Sequence, residues 1–123
     1  MEYHKKIHLV SFNQTIHAFI GDSNKCLQKA LKIFKKDPQK KDIINFFDDS
    51  KNDNGYCQMF GDFTIIWCRS NRCDLIIHES IHATTFLFDI IGVKYTNDSH
   101  EVIAYTASNI ASEIIEHVRK YSK

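Results

Sequence analysis

The spacing of apolar positions changes several times along the chain. Ile7, Leu9, Val10 and Phe12, then Thr15, Ile16, Ala18, Phe19 and Ile20, are apolar and β-branched enough for extended structure. They predict a strand region over 3–20, with Asn13-Gln14 as a turn or bulge and Gly21-Asp22-Ser23 as its end. Over 23–36 the period becomes helical. Cys26, Leu27, Ala30, Leu31, Ile33 and Phe34 share one face, and Lys25, Lys29, Lys32, Lys35 and Lys36 the other. Asp22 or Ser23 can cap this helix, and Pro38 ends it. The run DIINFF at 42–47 reads as one helical turn or a packing plug, and 48–55 as an exposed loop. Two strands follow, at 56–60 and 63–68, with Gly61-Asp62 between them as a Gly-X hairpin turn. The second half predicts two helices. One covers 72–91 and stops at Gly92 in the C′ position. The other covers 98–121, with Val102, Ile103, Ala107, Ile110, Ile114 and Val118 facing inward.

A chain of 123 residues suits one domain spanning 1–123, and that length buries roughly two-thirds of the surface of the unfolded chain. With 43% hydrophobic and 25% charged residues, wholesale disorder is excluded. Sixteen Lys plus Arg against fifteen Asp plus Glu leave a formal charge of +1, which gives no global reason to expect nucleic acid or an anionic membrane as partner. The lysine cluster of 25–41 reads as a solvated helix face, with a basic patch for an acidic partner as the alternative. No segment reaches 18 consecutive apolar residues, and the first residues carry no apolar stretch of the signal-peptide kind. Cys26, Cys57, Cys68 and Cys73 form no CxxC pair, so reduced thiols and a cytoplasmic location are expected.

The candidate chemistry lies in the first of the late helices, as His78-Glu79-Ser80-Ile81-His82. Residues four apart stack on one helix face about 6 Å apart along the axis, so two imidazoles can aim at one ion. They supply two of the three protein ligands of an open tetrahedral zinc site. Glu79 is rotated by about 100°, so it flanks the metal and can take a proton from a bound water. With seven His in the chain, a random sequence of this composition yields about 0.02 such motifs, which makes coincidence a poor explanation. Leu75, Ile76, Ile77, Ile81, Ala83, Phe86, Leu87 and Phe88 predict a helix buried around most of its circumference. The bland alternative is a pair of hydrogen-bonded core histidines with Glu79 at the surface.

Glu101, nineteen residues after His82 on the next helix, is the preferred third ligand, because two His plus a carboxylate is a common catalytic zinc set. His100 is the rival ligand. Without a metal, Asp98 as N-cap and Glu101 as N3 would form a capping-box-like pair. Tyr105 and Ser108 share the Glu101 face, where Tyr105 either hydrogen-bonds a ligand or an oxyanion or fills the core.

HESIH at 78–82, the stop at Gly92 and EVIAY at 101–105 together resemble gluzincin-type zinc metallopeptidases. In layout the chain is similar to small HExxH proteins encoded by bacteriophages and prophages. The resemblance implies an α+β, zincin-like single domain, with a short antiparallel sheet packed on the basic helix, the HExxH helix and a C-terminal helix. It implies Zn2+ held by His78, His82 and Glu101, Glu79 as general base, a peptide or protein substrate, and a bacterial host cytoplasm. Two departures stand out: Tyr105 occupies the place of the Asp that orients a ligand histidine, and there is no separate substrate domain. Such folds lay extended peptide against an edge strand, for which 63–68 is the candidate, with Trp67 as core or as cleft wall. The expected activity is hydrolysis of a peptide bond. The alternatives are a catalytically weak or inactive zinc protein that acts by binding a host or phage protein, and a non-proteolytic hydrolase using the same site.

Overall fold

A computed structural model describes residues 2–122. The first apolar region is a hairpin of β1 (Tyr3–Leu9) and β2 (Gln14–Ile20), paired antiparallel from Tyr3↔Ile20 to Leu9↔Gln14. A 3-10 turn at Val10–Phe12 joins them, and Asn13 closes it at φ 49°, a left-handed conformation that Asn tolerates better than most residues. In α1 (Ser23–Ile33) the Asp22 carboxylate caps the first turn by accepting the Lys25 N–H at 3.1 Å. The run expected as one helical turn or a packing plug is a full helix, α2 (Lys40–Ser50), whose Ile43, Phe46, Phe47 and Ser50 are all buried. β3 (Gly55–Met59) and β4 (Phe63–Cys68) form the second hairpin. There the Phe60 N–H donates to the Phe63 carbonyl at 2.8 Å, and Gly61 takes φ 86°. α3 (Cys73–Ile90) ends in a Schellman turn. Gly92, at φ 73°, donates to the Asp89 carbonyl at 3.1 Å and Val93 to that of Phe88 at 2.9 Å. α4 (His100–Tyr121) completes the chain.

The four strands lie in the order β1-β2-β4-β3, in a small α+β fold with a mixed sheet. The expected antiparallel pairing holds for both hairpins but not at the centre, where β2 and β4 run parallel from Thr15↔Phe63 to Ile20↔Cys68. β4 is therefore an interior strand, which corrects its assignment as the exposed edge; the edges are β1 and β3. The physical reason is coverage on both faces, which favours continuous apolar strands in the middle of a sheet. On one face Phe19, Phe63, Ile65 and Trp67 pack against Cys26, Ala30 and Phe34 of α1 and Ile43, Phe46 and Phe47 of α2. On the other, Ile16, Ala18, Ile20, Cys57, Ile66 and Cys68 meet Ile76, Ala83 and Leu87 of α3 and Ile110, Ala111, Ile114 and Val118 of α4. Trp67 belongs to the core: it is fully buried, and its indole N–H donates to the Gly21 carbonyl at 3.0 Å. All four cysteines are unpaired, and among the described residues no helix is long and apolar enough to cross a membrane.

Candidate metal centre

α3 is buried along one stripe only. Ile76, Glu79, Ser80, Ala83, Thr84, Leu87 and Phe88 face the sheet and α4 side, whereas Ile77, His78, Ile81 and His82 are exposed. This corrects the expected all-round burial, and it inverts the bland alternative: the histidines are outside and the glutamate is inside. The buried hydroxyls on the stripe are satisfied within the helix. Ser80 donates to the Ile76 carbonyl at 2.7 Å and Thr84 to that of Ser80 at 2.8 Å.

Among the described residues, one group of His, Cys, Asp or Glu converges as a metal site would: His78, Glu79 and His82, whose ligand atoms all lie within 4.8 Å of one another. The Nε2 atoms of His78 and His82 are 3.2 Å apart. Two nitrogens on one tetrahedral zinc, each at about 2.0–2.1 Å, lie about 3.3–3.4 Å apart, so the observed gap already suits a shared ion. The same gap suits an N–H···N hydrogen bond, which is the metal-free form of the pair. Glu79 Oε2 stands 3.9 Å from His78 Nε2, and the residue is only 6% exposed. Burial raises the Glu79 carboxyl above its usual range, Asp53 adds to the rise, and the neighbouring His78 and His82 oppose it.

The backbone that makes room for Glu79 is Gly55, at the start of the edge strand β3. A Cβ on Gly55 would lie 3.1 Å from Glu79 Oε2, 3.3 Å from its Cγ and 2.8 Å from the Trp67 carbonyl oxygen. The sequence reading did not single out Gly55. The available signal was a glycine opening a strand pattern, which often marks a close backbone approach.

Glu101 is not in the convergent group. Its side chain is 69% exposed, and Oε1 lies 3.5 Å from His100 Nε2. α3 runs eight residues past His82, about 12 Å along its axis, before the chain turns, and Glu101 sits on the first turn of α4. The capping-box arrangement is absent as well. Ser99 is the N-cap, its hydroxyl donates to the Lys94 carbonyl at 2.5 Å, and Asp98 precedes it. His100 donates through Nδ1 to the Asn97 carbonyl at 2.7 Å, and its Nε2 faces the Glu101 carboxylate. Of the positions expected to face inward on α4, Ile110, Ile114 and Val118 are buried, while Val102 is exposed; Tyr105 and Ser108 are exposed too. The other histidines have neighbours elsewhere: His4 Nε2 and His17 Nδ1 meet at 3.0 Å, His8 meets Thr15 at 3.2 Å, and the His117 ring lies 4.8 Å from that of Tyr121. No protein-family model, curated protein or solved structure matches this chain.

Proposed function

We propose that this chain is a zinc-dependent hydrolase of peptide bonds, with His78 and His82 as metal ligands and Glu79 as general base. The observation that supports this best is the pair of Nε2 atoms 3.2 Å apart with a buried carboxylate in the same helical turn. A zinc ion held by these residues would supply Lewis-acid polarisation of the scissile carbonyl and would acidify a bound water. His78 and His82 bind through Nε2 as neutral imidazoles, which places their remaining protons on Nδ1. Burial makes Glu79 more basic than a solvated carboxylate. It accepts the water proton and hands it to the leaving amine.

The strand for an extended substrate is β3, the sheet edge whose Gly55 backbone abuts Glu79, and main-chain pairing along that edge aligns the peptide. We assign Glu101 as the third protein ligand, with His100 as its rival, on the gluzincin resemblance alone, since neither belongs to the convergent group and their side chains face each other at 3.5 Å. Tyr105, one turn after Glu101, is assigned to the oxyanion. These roles follow the gluzincin resemblance of the motif. Glu79→Gln tests the reading: zinc content is retained and cleavage of a mixed peptide library is abolished. Cleavage that survives the substitution refutes the role of Glu79. Loss of zinc in Glu101→Ala, but not in His100→Ala, supports the third-ligand assignment, and the reverse result transfers it.

A second reading has its own observation. Glu101 lies outside the group and the two imidazoles are exposed, an arrangement that also suits a zinc protein acting through binding instead of hydrolysis. A biological effect unchanged by Glu79→Gln selects it.

A further inference from the structure

The outer face of α3 presents a surface that one chain does not complete. Between positions 75 and 88 the exposed residues are Ile77, His78, Ile81, His82 and Thr85. None is charged when the imidazoles are neutral, and the one carboxylate of this stretch, Glu79, is turned inward. Ile77 is 46% exposed and Ile81 52%, each directly beside a histidine. A half-apolar, uncharged stripe meets its own copy without like-charge repulsion. Its two imidazoles fill two corners of a tetrahedral ion and leave two open.

We infer that one zinc ion joins two copies of this chain through His78 and His82 of each, with Ile77 and Ile81 packing around the four imidazoles. The inference rests on the reading of these two histidines as ligands, and it adds that in the joined form the partner copy's two imidazoles take the other two corners, displacing Glu101 from the one assigned to it. The geometry is self-complementary. A two-fold axis through the ion places the second Nε2 pair at right angles to the first, as the opposite edges of a tetrahedron lie. Residues four apart stack along the helix axis, so the two α3 helices cross close to perpendicular. Such a crossing touches over a turn or two. Four half-exposed isoleucines bury far less than the roughly 1,200 Å2 at which stable pairs begin, so the apolar contact alone does not hold the copies together. The ion does, and dimerisation is therefore zinc-dependent. The joined form is coordinatively closed. Substrate and partner copy compete for the same corners, which makes this pair a resting state of the hydrolase.

The test uses the full chain and Zn2+ alone. Zinc is titrated in, and mass by light scattering and bound metal by elemental analysis are read together. The expected result is a doubling of mass that saturates at one zinc per two chains and reverses with EDTA. Ile81→Glu keeps both histidines but sets a carboxylate against the partner's facing stripe; it is expected to stay monomeric and bind one zinc per chain. His82→Ala is expected to lose both responses. A wild-type chain that saturates at one zinc per chain as a monomer overturns the inference and leaves the hydrolase proposal standing. A dimer that forms without zinc, or that Ile81→Glu leaves intact, also overturns it. A chain that binds no zinc overturns both.

Discussion

Replacing Gly55 by Ala isolates the packing that seats β3 over Glu79. The new Cβ falls 2.8 Å from the Trp67 carbonyl oxygen, 3.1 Å from Glu79 Oε2 and 3.3 Å from Glu79 Cγ. The carboxylate can swing aside. The carbonyl cannot, because β4 is paired on both sides by β2 and β3. Overpacking of this kind costs about 1–3 kcal/mol. Gly55 is not among the positive-φ glycines, so alanine recovers about 0.4–1 kcal/mol by restricting the unfolded chain. Because the closest contact is with a fixed carbonyl, the cost lies in the upper part of that range, about 2–3 kcal/mol, and the net loss is about 1–2.6 kcal/mol, read as a lower urea midpoint at constant m. In a Glu79→Ala background two of the three contacts are gone, so the cost of Gly55→Ala shrinks without vanishing, a coupling of roughly 0.5–1 kcal/mol. Gly61→Ala is the control: its φ of 86° strains alanine, nothing lies within 4 Å, and Glu79→Ala leaves its cost unchanged. A Gly55→Ala protein as stable as wild type, or a penalty identical with and without the Glu79 side chain, refutes this packing.

Three further outcomes are expected. Burial holds the imidazoles of His4 and His17 down to about 4, with the His17 charge adding to the effect on His4 and the Lys6 charge to that on His17. Since the unfolded chain protonates these groups near 6.5, their contribution to stability is complete above that pH and is lost as pH falls toward 4. The loss is about 3 kcal/mol for His17, and denaturant midpoints that stay flat from pH 8 to pH 4.5 contradict it. Trp67→Phe removes the donor 3.0 Å from the buried Gly21 carbonyl and leaves a void; a loss of about 2–3 kcal/mol in thermal melts is expected, and less than about 0.5 kcal/mol is the contrary result. In metal-free protein Glu79→Gln is stabilising at pH 8, because the buried carboxyl titrates above its unfolded value and wild type regains stability only as pH falls through that raised pKa. Equal midpoints at pH 8 argue against the burial effect.

Local geometry was legible in the residues, and long-range register was not. The spacing of His78 and His82 is a property of one helix, so their convergence followed from the sequence alone. Gly92 and Gly61-Asp62 likewise marked their turns, because each needs a backbone conformation that few other residues adopt. α2 was missed although Ile43, Phe46, Phe47 and Ser50 carry the helical period: lysines at one end and Asp48-Asp49-Ser50 at the other made the run look shorter than it is. The parallel contact of β2 with β4 was not visible, since a fully apolar strand looks the same whichever neighbour it takes. α3 read as buried all round because Ile77 and Ile81 are apolar, yet they face outward beside the histidines. The position of Glu101 depends on how far α3 continues past His82 and where α4 begins, two boundaries that no single residue specifies.

Zinc affinity, measured by competition against a chromogenic chelator, addresses the shared-ion geometry of His78 and His82 most directly. Removing a partner that merely orients a ligand weakens a site 10–100-fold, so removing a ligand should cost about 100-fold or more. His78→Ala and His82→Ala are each expected to weaken binding by at least that factor, while Glu79→Gln stays within about threefold of wild type. Alanine variants that hold zinc as tightly as the unaltered chain would show that the 3.2 Å pair is an ordinary hydrogen bond between surface imidazoles.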